Sequence, residues 1–246
     1  MNEPTLSPKI KTLFVFLIPW PAVCLLYAVL GRLNLNTSLL WIILIPELFC
    51  VLGWIALYLL HDKTPSKIPV VMTWGMLLAL ADQIIKLLVH NLYGWNRVTV
   101  IIPQAFTFRI TPNHHGSFIA SLLDVKVSGV FYVIFYIAAG YILFRTIQFF
   151  TKRNGNTGWI NLGRIFFLAT IAAASADRII WNYTLDYIAV EEMFVFDLKD
   201  LFANLSALSV FCEMVENPSG RENPFKGSDD WKEYFRFLLP VFRRRS

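Results

Sequence analysis

Long apolar runs separated by short polar segments dominate the chain. A helix that crosses the hydrocarbon core of a membrane needs about 20 consecutive apolar residues. Six such runs occur, the last one shorter, and they lie at about residues 12–30, 39–60, 68–89, 127–149, 159–181 and 198–215. The pattern predicts an all-α polytopic membrane protein with about six transmembrane helices.

The segment between the third and fourth runs has a different pattern. Within residues 93–125, two short β-prone runs at 98–102 and 106–110 are separated by Pro103 and followed by Gly116. Such runs bounded by proline and glycine indicate strands and turns. We therefore expect a small β-cradle between two of the membrane helices.

Composition and charge agree with a membrane protein. Hydrophobic residues make up 56% of the 246 residues and charged residues only 16%. The net charge of +5 includes the C-terminal cluster Arg243, Arg244 and Arg245, and such clusters mark contact with anionic lipids rather than nucleic acid. We expect membrane lipids as partners and no nucleic acid.

The basic residues also predict the orientation. If six helices alternate in direction, one side receives the largest group of lysines and arginines, namely Lys9, Lys11, Lys63, Lys67, Lys152, Arg153 and the arginine tail. The positive-inside rule then places both termini in the cytoplasm. The β-cradle and the acidic residues near it would face the extracytoplasmic side.

Ionisable side chains inside the apolar runs are candidate functional residues, because a charge at membrane depth costs roughly 2.5 to 3.5 kcal/mol on insertion scales. Asp82 and Lys86 are four residues apart on one helical face and are expected to pair. This pair has either a structural role or a role in orienting a lipid head group. Asp177 and Arg178 are expected to tie down the outer loop, and Glu47 to hydrogen-bond a neighbouring helix.

Asp186 and Asp200 could form a catalytic pair. Two carboxylates within about 3 Å share one proton, so that one acts as general base on water while the other donates to the scissile carbonyl. That is the chemistry of an aspartyl protease. Spacing alone leaves the alternative that both residues are ordinary helix caps.

Four blocks in order resemble the lipoprotein signal peptidase family, also called type II signal peptidases. The family patterns are D-Q-x-x-K, N-x-G-A-A-F, G-N-x-x-D-R with V-D-F, and F-N-x-A-D. The matching blocks here are residues 81–86 (ADQIIK), 113–118 (NHHGSF), 175–178 (SADR) with 185–187 (LDY), and 196–200 (FDLKD). The resemblance covers about residues 68–215.

The resemblance implies that Asp186 and Asp200 are the catalytic pair of an aspartic endopeptidase. It also implies a set of residues that support the site or bind substrate: Asp82, Lys86, Asn113, Asp177, Arg178 and Asp197. The implied substrate is a diacylglyceryl-modified prolipoprotein, cleaved before its lipidated cysteine at the extracytoplasmic side of a bacterial inner membrane. We expect a monomer without metal or organic cofactor.

The resemblance also divides the chain. We expect two extra N-terminal helices at residues 1–67, the peptidase-like core at 68–216 and a basic cytoplasmic tail at 217–246. Three positions depart from the family pattern. Ala174 and Asp197 each stand where the family has an asparagine, and Lys199 replaces a small residue. Asp197 should place a third carboxylate near the pair and raise a neighbouring pKa.

Other readings remain open at this point. The chain could be a non-catalytic relative that binds lipidated peptides or a membrane protein partner. A serine peptidase using Ser117 with Lys126, or a metal site at His114 and His115, has no supporting motif. A transporter is conceivable, but the sequence shows no internal repeat or paired broken helix.

Overall fold

The computed structural model describes residues 7–31, 39–95, 97–113, 129–190, 193–216 and 228–238. Helices account for most of these residues. They are α1 (Pro8–Leu17), α2 (Pro19–Val29), α3 (Leu39–Leu60), α4 (Ile68–Leu92), α5 (Gly129–Asn154), α6 (Gly158–Ala176), α7 (Leu198–Glu216) and α8 (Ser228–Leu238). Four strands complete the fold, namely β1 (Val98–Ile102), β2 (Phe106–Asn113), β3 (Thr184–Val190) and β4 (Phe194–Phe196).

Among the described residues, four helical segments are long and apolar enough to cross a membrane. They are Pro8–Val29, Ile42–Lys63, Ile68–Leu92 and Gly158–Trp181. The protein is thus an integral membrane protein with a small β region, as predicted. The predicted spans at residues 127–149 and 198–215 correspond to the helices α5 and α7, while the count of six spans stays a prediction.

Helix α6 lies at the centre of the bundle and packs against both α4 and α7. At Gly75 of α4 an added Cβ would lie 2.8 Å from the Cβ of Leu168, so only glycine permits this approach to α6. On the other side, the Ser206 hydroxyl of α7 donates to the Gly163 carbonyl of α6 at 2.8 Å. These contacts hold α4 and α7 on opposite faces of α6.

The N-terminal helices pack into the same core. Phe16 of α1 and Leu57 of α3 belong to one buried cluster with Trp159 of α6 and Phe202 of α7. The Trp54 indole nitrogen donates to the Thr12 hydroxyl at 3.1 Å, which joins α3 to α1. The division of the chain at residues 67 and 216 stays a prediction.

Glu47 of α3 does not behave as predicted. Both of its carboxylate oxygens are hidden from solvent and have no hydrogen-bond partner among the described residues. The prediction of a helix-packing hydrogen bond was therefore wrong. The groups close enough to interact with it electrostatically include the thiols of Cys24 and Cys50, which are weak hydrogen-bond donors.

The four strands form one antiparallel sheet in the order β1-β2-β3-β4. This sheet confirms the predicted cradle for the described part of residues 93–125, and residues 114–125 lie outside the described part. Ile110 of β2 and Leu185 of β3 pack on Val89 near the end of α4. The register of β2 against β3 shifts between Phe108 and Thr111, and such irregularities bend a strand and redirect its side chains.

Candidate active site

Several ionisable side chains converge where the later half of α4 meets the ends of α6 and β4. Lys86 is at the centre of this charge cluster and is completely buried. Its ammonium nitrogen lies 2.8 Å from a carboxylate oxygen of Asp82, 2.7 Å from Asp177 and 2.7 Å from Asp197. The predicted pairing of Asp82 with Lys86 is therefore present, within a larger network.

Gln83 connects α4 to α6 in the same network. Its side-chain nitrogen donates to Asp177 at 2.8 Å and to Asp82 at 3.0 Å, while its oxygen accepts from the Trp181 indole at 3.3 Å. We did not select Gln83 from the sequence, although it stands inside the D-Q-x-x-K block. Its position in the same block as Asp82 and Lys86 is the sequence feature that could have indicated a role in the site.

A change of helix geometry occurs immediately before Asp177 and Arg178. Helix α6 continues as a π-helical turn, Asp177–Trp181, which ends at Asn182 with a left-handed φ of 57°, a conformation that asparagine tolerates. Asp177 is buried, whereas Arg178 is exposed and takes part in none of the cluster's contacts among the described residues. The structure thus brings Asp177, but not Arg178, to the charge cluster.

Asp186 reaches the cluster from the sheet and is only 2% exposed. In the β2–β3 register Thr111 is opposite Asp186, and Asn113 lies one side-chain repeat further along. This diagonal position lets the Asn113 amide donate to one Asp186 carboxylate oxygen at 2.9 Å. The other oxygen is buried without a hydrogen-bond partner among the described residues.

Asp200 lies in the first turn of α7, and its side chain is 46% exposed. Carboxylate oxygens of Asp186, Asp197 and Asp200 all lie within 4.8 Å of one another. The Asp197 carboxylate accepts from the Asp200 backbone N–H at 3.0 Å, which is the bond of an N-cap three residues earlier. Asp197 thus caps α7, and the Asp200 carboxylate is left facing Asp186.

Lys199, which departs from the family pattern, lies inside the site. Its ammonium nitrogen is 3.0 Å from both Asp197 oxygens and 3.2 Å from Asp200. An oxygen of a third carboxylate, that of Asp177, lies at 3.9 Å. Two departures from the family pattern, Asp197 and Lys199, therefore pair with each other.

The surroundings raise the pKa values of Asp186 and Asp200, mainly through burial, and lower the pKa of Asp197. Burial, followed by the nearby charge of Asp200, raises the pKa of Asp186 to about 8. Asp197 contributes to this increase, as the sequence analysis expected, and Lys199 opposes it. Burial also acts to raise the pKa of Asp197, but the ammonium groups of Lys199 and Lys86 outweigh it and hold the pKa below its usual value.

With this geometry established, comparison with known proteins adds the family. The sequence model described as signal peptidase (SPase) II matches residues 74–216, which is more than half of the chain. The protein belongs to the signal peptidase II family. Its general activity is accordingly that of a lipoprotein signal peptidase, and its class is that of a peptidase. No curated protein matches the chain in sequence.

Two solved structures resemble this signal peptidase II family member. One, described as a bacterial membrane enzyme determined by the in meso method at 2.3 Å resolution, has a TM-score of 0.50 at 15% identity, covering 63% of this chain and 93% of that chain. Another bacterial membrane enzyme, determined by the same method at 1.9 Å resolution, has a TM-score of 0.47 at 16% identity, covering 58% and 90% of the two chains. The first likeness indicates a shared fold.

Of the predicted site residues, the structure collects all but Arg178 in the family member's charge cluster. The alternatives at His114, His115, Ser117 and Lys126 lie outside the described residues. The carboxylates of Asp186, Asp197 and Asp200 are close enough to share a metal ion. The Lys199 ammonium already contacts two of these carboxylates.

Proposed function

We propose that this protein is a membrane aspartyl endopeptidase that cleaves signal peptides from diacylglyceryl-modified prolipoproteins immediately before the lipidated cysteine. The observation that carries the proposal is the approach of Asp186 and Asp200 to within 4.8 Å of each other. The membership in the signal peptidase II family supports the same reaction class. Because the two carboxyls come from different elements, β3 and α7, a substrate lying between sheet and helix would meet both.

The reaction needs only water and the two carboxyls. The ionised carboxylate removes a proton from water, whose oxygen adds to the scissile carbonyl carbon, and the protonated carboxyl donates its proton to the carbonyl oxygen. The tetrahedral intermediate then loses the amine as the C–N bond breaks. The amine nitrogen takes the proton collected from water, while the second carboxyl recovers its own proton from the intermediate's hydroxyl group.

Five other residues would support this pair without touching the reacting atoms. Asn113 donates to Asp186 and orients it. Asp82, Lys86 and Asp177 join α4 to the end of α6 behind the pair, and Asp197 caps the helix that carries Asp200. Arg178, which is exposed beside the π-helical turn, is available to substrate or to lipid head groups.

The proposal includes the location. We place the enzyme in a bacterial inner membrane with both termini in the cytoplasm, and the aspartate pair on the extracytoplasmic side. The later half of α4, the end of α6 and the start of α7 all contribute to the site, so these helix ends face the same surface. The enzyme would act as a monomer, without a metal or organic cofactor, on a substrate held in the same bilayer.

The test is processing of a diacylglyceryl-modified prolipoprotein by purified protein in lipid bilayers. We expect the wild type to release a product whose N-terminal residue is the lipidated cysteine, as read by mass spectrometry. Asp186→Asn and Asp200→Asn should each lose this activity. Asp62→Asn is the matched control, because Asp62 is 86% exposed and precedes α4, far along the chain from the site.

Equal cleavage by wild type and both variants would refute the aspartate pair as the catalyst. One observation favours a second candidate, a non-catalytic relative that binds lipidated peptides. The Lys199 ammonium contacts the Asp200 carboxylate at 3.2 Å and could prevent this carboxylate from accepting a proton from water. Folded wild type that binds the lipidated peptide without cleaving it, with unchanged affinity in Asp186→Asn, would support this candidate.

A further inference from the structure

The aspartate pair is electrostatically asymmetric. Asp200 has a cation partner, since the Lys199 ammonium lies 3.2 Å from its carboxylate. Asp186 forms no ion pair among the described residues, and its one side-chain hydrogen bond there comes from the neutral amide of Asn113. Ionisation is therefore less costly on Asp200 than on Asp186.

Carboxyl groups outnumber ammonium groups around the aspartate pair. Facing it are Asp82 and Lys86 from α4, Asp177 from the π-helical turn, Asp197 from the loop before α7, and Lys199 from α7. With Asp186 and Asp200 this makes five carboxyls against two ammonium groups among the described residues, a charge of −3 if all were ionised. Buried charges without a partner are costly, so the cluster retains a proton.

That proton is least costly on the carboxyl that lacks a cation. Lys86 contacts Asp82, Asp177 and Asp197, and Lys199 contacts Asp197 and Asp200. Asp186 is the member left over, and it is 2% exposed, so water cannot substitute for the missing partner. The raised pKa of Asp186, about 8, agrees with this assignment.

We propose that Lys199 is a positioning residue that assigns the two roles within the pair, holding Asp200 ionised as the base and leaving the shared proton on Asp186 as the acid. This inference rests on the proposed function for its chemical meaning. The exposure of the two side chains fits the assignment, because Asp200 is 46% exposed and can meet water. Asp186, in contrast, is enclosed.

Infrared spectroscopy of the protein in lipid bilayers tests the assignment without any substrate. The carbonyl band of a protonated carboxylic acid is followed against pH, and we expect one such band to titrate with a midpoint near 8, the value for Asp186. It should be missing in Asp186→Asn and present in Asp200→Asn. Loss of the band in Asp200→Asn with retention in Asp186→Asn would overturn the proposal.

Variants of Lys199 provide the second measurement. Because an opposite charge within a few ångströms lowers a carboxyl pKa by about 1 to 3 units, Lys199→Met should raise the Asp200 midpoint by that amount, so that Asp200 appears as a second protonated acid. The Asp186 midpoint should also move upward, because Lys199 opposes the increase in its pKa. Lys199→Arg retains the positive charge and should titrate like the wild type. A Lys199→Met titration that superimposes on that of the wild type would also overturn the proposal.

The pH dependence of cleavage completes the test and separates the two hypotheses. In Lys199→Met both limbs of the pH–rate profile should move to higher pH, whereas a merely structural role would lower the rate without moving either limb. If the infrared results are as expected but no prolipoprotein is cleaved, the proposed function fails and the assignment of protons stands. If cleavage depends on both aspartates but the infrared results contradict the assignment, the inference about Lys199 fails alone.

Discussion

Replacing Lys86 with methionine should destabilise the protein more than any replacement of an exposed lysine. Lys86 is completely buried, and its ammonium group contacts three carboxylates at 2.7 to 2.8 Å. Methionine keeps the length and apolar stem of lysine but removes the charge. The carboxylates of Asp82, Asp177 and Asp197 would then be buried without this shared partner.

The expected magnitude follows from the cost of an uncompensated buried charge. Breaking a buried ion pair by removing one partner costs about 3 to 5 kcal/mol in unfolding free energy. Asp197 keeps a second cation, Lys199, at 3.0 Å, whereas Asp82 keeps a hydrogen bond from Gln83 at 3.0 Å. The loss should therefore fall within this range rather than add up over three pairs.

The measurement is denaturant unfolding of wild type and Lys86→Met in the same lipid or detergent environment. Lys63→Met is the matched control, because Lys63 is exposed at the end of the turn before α4, and exposed substitutions usually change stability by less than about 0.5 kcal/mol. Adding Asp197→Asn should recover part of the loss in Lys86→Met. A loss below about 1 kcal/mol, or an Asp197→Asn effect equal in both backgrounds, would refute the reasoning.

Three further predictions follow from other parts of the fold. Asp186 has a pKa of about 8 against an ordinary 3.8, so between these values the folded state binds more protons than the unfolded state. Unfolding free energy should therefore fall as pH rises from about 4 to 8, by up to about 1.4 kcal/mol per pH unit. An equally steep dependence of unfolding free energy on pH in Asp186→Asn would contradict this prediction. Gly158→Ala should cost about 1 to 3 kcal/mol, because the new Cβ would overlap the His61 carbonyl oxygen, while Gly53→Ala, which meets nothing within 4 Å, should not destabilise in the same unfolding assay. Tyr27→Phe should lose about 0.5 to 1.5 kcal/mol through its hydrogen bond to the β3–β4 turn, and hydrogen exchange in β4 should become faster; unchanged exchange would show that α2 does not support the sheet.

Tyr27 lies on α2, and both α2 and α3 precede residues 74–216, which the signal peptidase II model matches. Tyr27 of α2 donates to the Met193 carbonyl at 2.9 Å, and the ring centroids of Trp20 and Phe194 lie 6.2 Å apart. On α3, Phe49 packs against Phe106 at the start of β2, with ring centroids 5.6 Å apart. These helices therefore contact the end of the sheet where Phe106 and Phe194 both pair with Val190 of β3, the strand that carries Asp186.

Local features of the sequence could predict part of the site. The spacing of Asp82 and Lys86 on one helical face predicted their pairing, since i,i+4 positions are neighbours on any helix. The β-prone runs bounded by Pro103 predicted the strands β1 and β2 for a similarly local reason. Glu47 shows the limit of such reasoning, because a helix-packing hydrogen bond depends on which side chain the neighbouring helix presents, and sequence spacing carries no such information.

The sequence by itself determined the membrane-protein class, the strands β1 and β2 and the family blocks, because hydropathy, turn residues and motif spacing are properties of neighbouring positions. Only the tertiary structure decided that Asp197 caps α7, that Lys199 contacts Asp200, and that Arg178 lies outside the charge cluster. Each of these depends on the direction in which a side chain leaves its helix or loop. Packing around α6 sets the distances between α4, β3 and α7. These distances determine which charged side chains of the buried cluster interact.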